Sequence, residues 1–176
     1  MSKRILISTV IAVVALAAAT AALAANLTAT ATVTGASGLS LNLPANPTIS
    51  DTLDGTDQTV SYAPVLGLVD ARGTGAGWNL TMSASTFSDS AGHTLAPGTV
   101  ASVAEACHTG SSCTAPTNSV AAGITLSTTA AKFFNAAANT GLGKVDVTPT
   151  VNVAIPGNSY AGTYTSTVTV AAVSGP

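Results

Sequence analysis

The sequence predicts an all-β fold, a single antiparallel β-sandwich of Ig-like or jelly-roll-like kind with about eight or nine strands. Three observations predict it. Apolar and polar residues alternate strictly through several stretches, which sends one set of side chains to a core and the other to solvent. Thr and Val dominate those stretches, and their branched Cβ suits a pleated surface better than a helix. Gly, Pro, Asn and Asp stand between the stretches, where turns need them. No break in composition marks a second domain.

The first element is not a strand. Lys3 and Arg4 form a positive start, apolar residues 5–19 follow, and small residues close on Ala22-Leu23-Ala24. That order reads as a secretory signal peptide cleaved before Ala25. A retained membrane anchor is the rival reading. Ser8, Thr9 and Thr20 interrupt the segment and no basic stop follows it, so removal is favoured. The predicted organisation is a signal peptide over residues 1–24 and one β domain over residues 25–176. No later stretch reaches the ~20 apolar residues needed to span a bilayer.

The strands follow in order. Leu27, Ala29, Ala31 and Val33 alternate with Thr28, Thr30, Thr32 and Thr34, and Leu39, Leu41 and Leu43 alternate until Pro44. Residues 59–69 are a weaker candidate broken by Pro64. Trp78, Leu80 and Met82 share one face of the next strand, with Asn79 and Thr81 opposite. Residues 99–104 and 121–127 are further candidates, the first of them inside a Gly/Ser/Pro-rich stretch, residues 88–116, read as loops. Residues 129–139, with Phe133-Phe134 among alanines, predict one or two helical turns with poor caps. Val145, Val147, Val151, Val153 and Ile155 share a face, and Pro149 falls on that face, which points to an edge strand or a bulge. The last strand is expected over residues 160–173.

Charge narrows the function classes. Only 7% of residues are charged, against a usual ~25%, so the polar surface must be mostly Thr, Ser and Asn. Beyond the signal segment seven acids face three bases, Arg72, Lys132 and Lys144. Nucleic-acid binding needs a dense basic stripe, and docking on an anionic membrane needs basic clusters. Neither partner is expected.

The densest motif is Asp70-Ala71-Arg72-Gly73-Thr74-Gly75-Ala76-Gly77-Trp78-Asn79-Leu80. It holds the single Trp, and its Arg is the only one beyond residue 4. Trp78 is either a core anchor or an exposed platform for a sugar or peptide, and its apolar same-face partners favour burial. Asp70 and Arg72 either pair to shape the glycine turn or leave Arg72 to grip a carboxylate or phosphate. The structural role is favoured.

This run resembles the first signature of the WxL domain, a Gram-positive bacterial surface domain, with Asp70, Arg72, Gly73, Gly77, Trp78 and Leu80 at the signature positions. Asn135-Ala136-Ala137-Ala138-Asn139-Thr140-Gly141-Leu142-Gly143 is similar to the family's Ala-rich Gly-x-Gly stretch, and residues 164–176 to its closing strand. There the family places a second Trp-x-Leu, where this chain has Val170-Ala171-Ala172. The resemblance implies a secreted, extracellular, wall-associated module binding peptidoglycan or another cell-wall polymer, with other surface proteins or itself as further partners. No Leu-Pro-x-Thr-Gly sorting signal is seen, so the association is expected to be noncovalent. A structural subunit packing through edge strands is the competing reading.

The remaining candidates are sparse. Cys107 and Cys113, separated by five residues, are expected to close a disulfide in an oxidising compartment. Zinc through those thiols with His93 and His108 fits no ligand spacing. Asp51, Asp54 and Asp57 surround an Asp-Gly turn, read as solvated with calcium as the alternative. No cofactor is expected. Neither histidine is expected to adjoin a carboxylate that could orient it, Glu105 is the only glutamate, and no nucleophile motif occurs. A non-enzyme is expected.

Overall fold

The computed structural model describes residues 28–176. The predicted signal peptide lies outside the described residues, as do Ala25, Asn26 and Leu27. The chain divides into two units, residues 1–32 and 33–176, and the second carries every described strand. There are eleven of these: β1 Leu39–Asn42, β2 Gln58–Tyr62, β3 Leu66–Asp70, β4 Trp78–Ala84, β5 Phe87–Ser88, β6 Thr94–Leu95, β7 Thr99–Cys107, β8 Ile124–Thr125, β9 Ala131–Ala136, β10 Gly143–Ile155 and β11 Val168–Ser174. The excess over the expected eight or nine comes from β5, β6 and β8, each two residues long. All pairings are antiparallel, and no helix occurs among the described residues.

Six strands form one sheet in the order β1-β3-β10-β7-β8, with β2 also on β10; β11-β4-β9 form a second, and β5 and β6 a small hairpin. β10 is the spine of the large sheet. β7 lines one side of it, while β3 and then β2 share the other, with Val147 opposite Leu66 and Val151 opposite Tyr62. This corrects the edge-strand reading of Pro149. The proline falls opposite the Ala63-Pro64-Val65 break between β2 and β3, where no neighbour requires its missing N–H. The bulge alternative does occur, at Thr150/Val151.

The predicted helix over residues 129–139 is also corrected, because Ala131–Ala136 is strand β9. Its pairing with β4 shifts register between Leu80 and Thr81, with Leu80 opposite Phe134 and Thr81 opposite Lys132. Phe133 is the extra residue of the bulge. Two consecutive phenylalanines therefore both face inward, each 1% exposed. That break in the period-two pattern is what imitates a helix. Thr28–Val33 forms no strand despite its alternation, and Val33 stands exposed. The last strand is shorter than expected, since residues 160–167 contribute only a bridge from Thr165 to Ser88.

Both sheets feed one hydrophobic cluster: Leu66, Leu68, Val145 and Val147 from the six-stranded sheet, Trp78, Leu80 and Phe134 from the three-stranded one. Each such side chain contributes about 1.5–3 kcal/mol on full burial. The Cys107–Cys113 disulfide, with Cα atoms 5.5 Å apart, closes so short a loop that it adds far less than the core. Replacing both cysteines by serine is therefore expected to cost about 2 kcal/mol, read by denaturant unfolding, with the β spectrum unchanged. A collapse of the β signal would show that the bridge holds more than its loop.

Candidate functional site

The signature run begins where β3 ends. Asp70 lies opposite Leu39 of β1 and Gly143 of β10, and its side chain is fully buried. A buried carboxylate must find donors. Arg72 supplies them as a fork: Nε donates to Oδ1 and Nη2 to Oδ2, both at 2.8 Å, and the Arg72 backbone N–H adds a third bond to Oδ1 at 3.2 Å. Nη2 also donates to the Gly77 carbonyl at 2.8 Å, and Nη1 to the Ser174 hydroxyl. Asp70 belongs to the six-stranded sheet, Ser174 to the three-stranded one, and Gly77 leads into β4. One guanidinium thus fastens two sheets and the loop between them. Its hydrogen bonds hold the Asp70 carboxyl below its usual range, against the opposing effect of burial.

Beyond the loop, Trp78 is 0% exposed. Its Nε1 donates to the Gly141 carbonyl at 2.9 Å, and its ring lies 5.9 Å from that of Phe134, tilted by 36°. Burial removes the exposed-platform reading of this residue. Two glycines permit the arrangement. At Gly77 (φ +69°) a Cβ would stand 2.5 Å from the Ala136 carbonyl oxygen, and at Gly141 (φ +71°) a Cβ would stand 2.6 Å from the indole nitrogen. A side chain at Gly141 would push the indole off its acceptor. Gly73 also has positive φ, but its surroundings are open. Leu80 sits fully buried opposite Phe134.

The two stretches that resemblance singled out therefore meet in space, residues 70–80 against 135–143. The Asn139 N–H donates to the Gly75 carbonyl at 2.8 Å, and the Gly141 N–H to the Thr114 carbonyl at 2.9 Å. Cys113 forms a bridge with Gly143, so the disulfide loop backs the same locus. The altered second motif lies on β11 beside β4, with Val170 opposite Met82 and Ala172 opposite Leu80. Sequence reasoning missed Ser174 and Asn79 here. Asn79 Nδ2 donates to the Gly175 carbonyl at 2.8 Å, which closes the end of β11. Local pattern carries no signal for such long-range partners.

The histidines correct a further expectation. Both are oriented by carboxylates brought from elsewhere in the fold or turn: His93 Nδ1 lies 2.7 Å from Asp89 Oδ2, and His108 Nδ1 3.0 Å from Asp146. Among the described residues no hydroxyl or thiol hydrogen-bonds to either ring. Asp51, Asp54 and Asp57 do not converge. Asp51 accepts from the Thr52 N–H and Asp57 from the Gly157 N–H, while Asp54 takes both the N–H and the hydroxyl of Thr56, which hold its carboxyl below the usual range. Among the described residues no three His, Cys, Asp or Glu side chains gather around a common point.

A family model described as WxL domain surface cell wall-binding matches residues 36–171. The match starts before β1 and ends within β11. No curated protein is similar enough to this chain to count as a match.

Two outcomes are expected at this locus. Asp70 has a lower carboxyl pKa folded than unfolded, so the stability it contributes is present above the unfolded value near 3.8 and is lost as pH falls through the folded value. D70N should remove about 3–5 kcal/mol at pH 7 by leaving Arg72 unpaired, and should flatten the acid limb of stability against pH. W78F keeps an aromatic ring but orphans the Gly141 carbonyl. It should cost at least about 1–3 kcal/mol, measured by denaturant unfolding.

Proposed function

The chain belongs to the WxL domain family of surface cell wall-binding domains, and from that premise we propose that it is an exported, non-enzymatic module that associates noncovalently with peptidoglycan. The observation that carries this reading is the family match across nearly the whole strand-bearing unit. The signature residues Asp70, Arg72, Gly77, Trp78 and Leu80 act in it as an internal brace. Their polar atoms face one another and the neighbouring backbone, so the wall is met by other surfaces of a sandwich-like scaffold, in which the six-stranded and three-stranded sheets enclose the shared core. The closed disulfide and the signal-like start suit export.

A second reading, assembly with itself or another surface protein, draws on β11. Among the described residues that strand hydrogen-bonds within its sheet only to β4, with β1 lying close to it, and it carries no Lys or Pro. A monomer in sedimentation velocity at high protein concentration would contradict it.

Wall association is tested by pelleting the purified chain with isolated sacculi across a salt series. With 7% charged residues, pelleting is expected to persist at high salt, because screening weakens only charge-driven binding. Protein left in the supernatant at every salt concentration would contradict the reading.

A further inference from the structure

We propose that the cleft beneath Tyr160 is a sugar-binding subsite and takes an uncharged, N-acetylated hexosamine strand. The proposal deepens the wall-binding reading above and rests on it. The cleft measures ≈ 600 Å³, within the range of ligand pockets. Leu53, Val60, Val153 and Ile155 give it an apolar floor, and Ser159 and Thr163 place hydroxyls around it. Such a surface matches the apolar face and acetamido methyl of an acetylated sugar below and its hydroxyls at the rim.

Tyr160 provides the aromatic platform that Trp78, being buried, does not. It is 66% exposed. Its ring is backed by the His93 imidazole, with centroids 3.9 Å apart and planes within 15°. His93 is fixed in turn by Asp89, which also accepts from the backbone N–H groups of Ala91 and His93. The loop bearing Tyr160 is pinned along its length. The Gly157 N–H donates to Asp57, the Ser159 N–H to the Pro156 carbonyl and the Tyr164 hydroxyl to the Tyr160 carbonyl, while Thr165 and Ser88 exchange backbone bonds at 2.9 Å. A large exposed ring held this firmly loses little freedom on binding, which is what makes aromatic anchors effective.

Charge selects among wall polymers. Among the described residues Asp51 is the only charged one lining the cleft, and no base does so. A phosphate-rich polymer or a carboxylate-bearing peptide would meet like charge there. A neutral acetylated glycan meets none.

The test titrates the purified chain with an oligomer of N-acetylglucosamine by calorimetry, beside a poly(glycerol phosphate) and the sacculus pelleting assay. Y160A is expected to weaken oligosaccharide binding at least about tenfold. Y160F should bind like the parent, and both variants should keep the parent's folded β spectrum because Tyr160 lies largely in solvent. If sacculi are pelleted but the oligosaccharide does not bind, or Y160A binds it like the parent, the cleft assignment falls and wall association stands. Tyr160-dependent oligosaccharide binding without pelleting keeps the subsite and removes the wall reading. Binding of the phosphate polymer in place of the sugar overturns the proposal.

Discussion

The Arg72 guanidinium is where the architecture is joined. Burying the Asp70 carboxylate at the end of β3 is costly unless a partner meets it with matched geometry. Arg72, two residues on, meets both carboxylate oxygens and still has donors for the Gly77 carbonyl and the Ser174 hydroxyl. A lysine has no planar fork and could not serve all of these acceptors. The shared core also unites the two sheets, but through apolar contact, which is non-directional. The charged joint supplies direction: it sets how β3 turns through the glycine loop into β4 and how the end of β11 is held. Trp78 then enters the core in one orientation, fixed by its bond to the Gly141 carbonyl.

This brace separates the parts that hold shape from the parts free to meet a partner. The signature side chains point into the fold and at each other. Loops remote from the brace carry the features that face outward, among them the cleft under Tyr160. Loops on a rigid scaffold commonly hold the binding groups. The scarcity of charge has the same consequence across the surface, since hydroxyls and a few aromatic faces remain the main means of recognition.

Much of the fold could be read from the sequence, for a definite reason. Wherever one face of a strand is buried, period-two alternation records it, as along Val145–Val153 and Trp78–Met82. The misreadings arose where alternation and burial part company. Phe133 and Phe134 both face inward because a bulge absorbs one of them, and the sequence looks helical there. Pro149 is tolerated in the central strand because the β2–β3 side is interrupted opposite it. Thr28–Val33 alternates but is not a strand. The site was legible only in its local half: Asp70 and Arg72 are two residues apart, whereas Ser174, Gly141 and the carboxylate facing His108 arrive through topology. Tyr160 gave no signal at all, since exposure and ring stacking leave no periodicity.

A double-mutant cycle on unfolding free energy, with D70N, R72M and the pair, tests the joint most directly. Strong coupling is expected: each single variant strands a buried polar partner, and the double variant recovers about 2 kcal/mol or more relative to the sum of the two. Single-variant losses that add to within about 0.5 kcal/mol would mean that the two residues act independently, and would contradict the account.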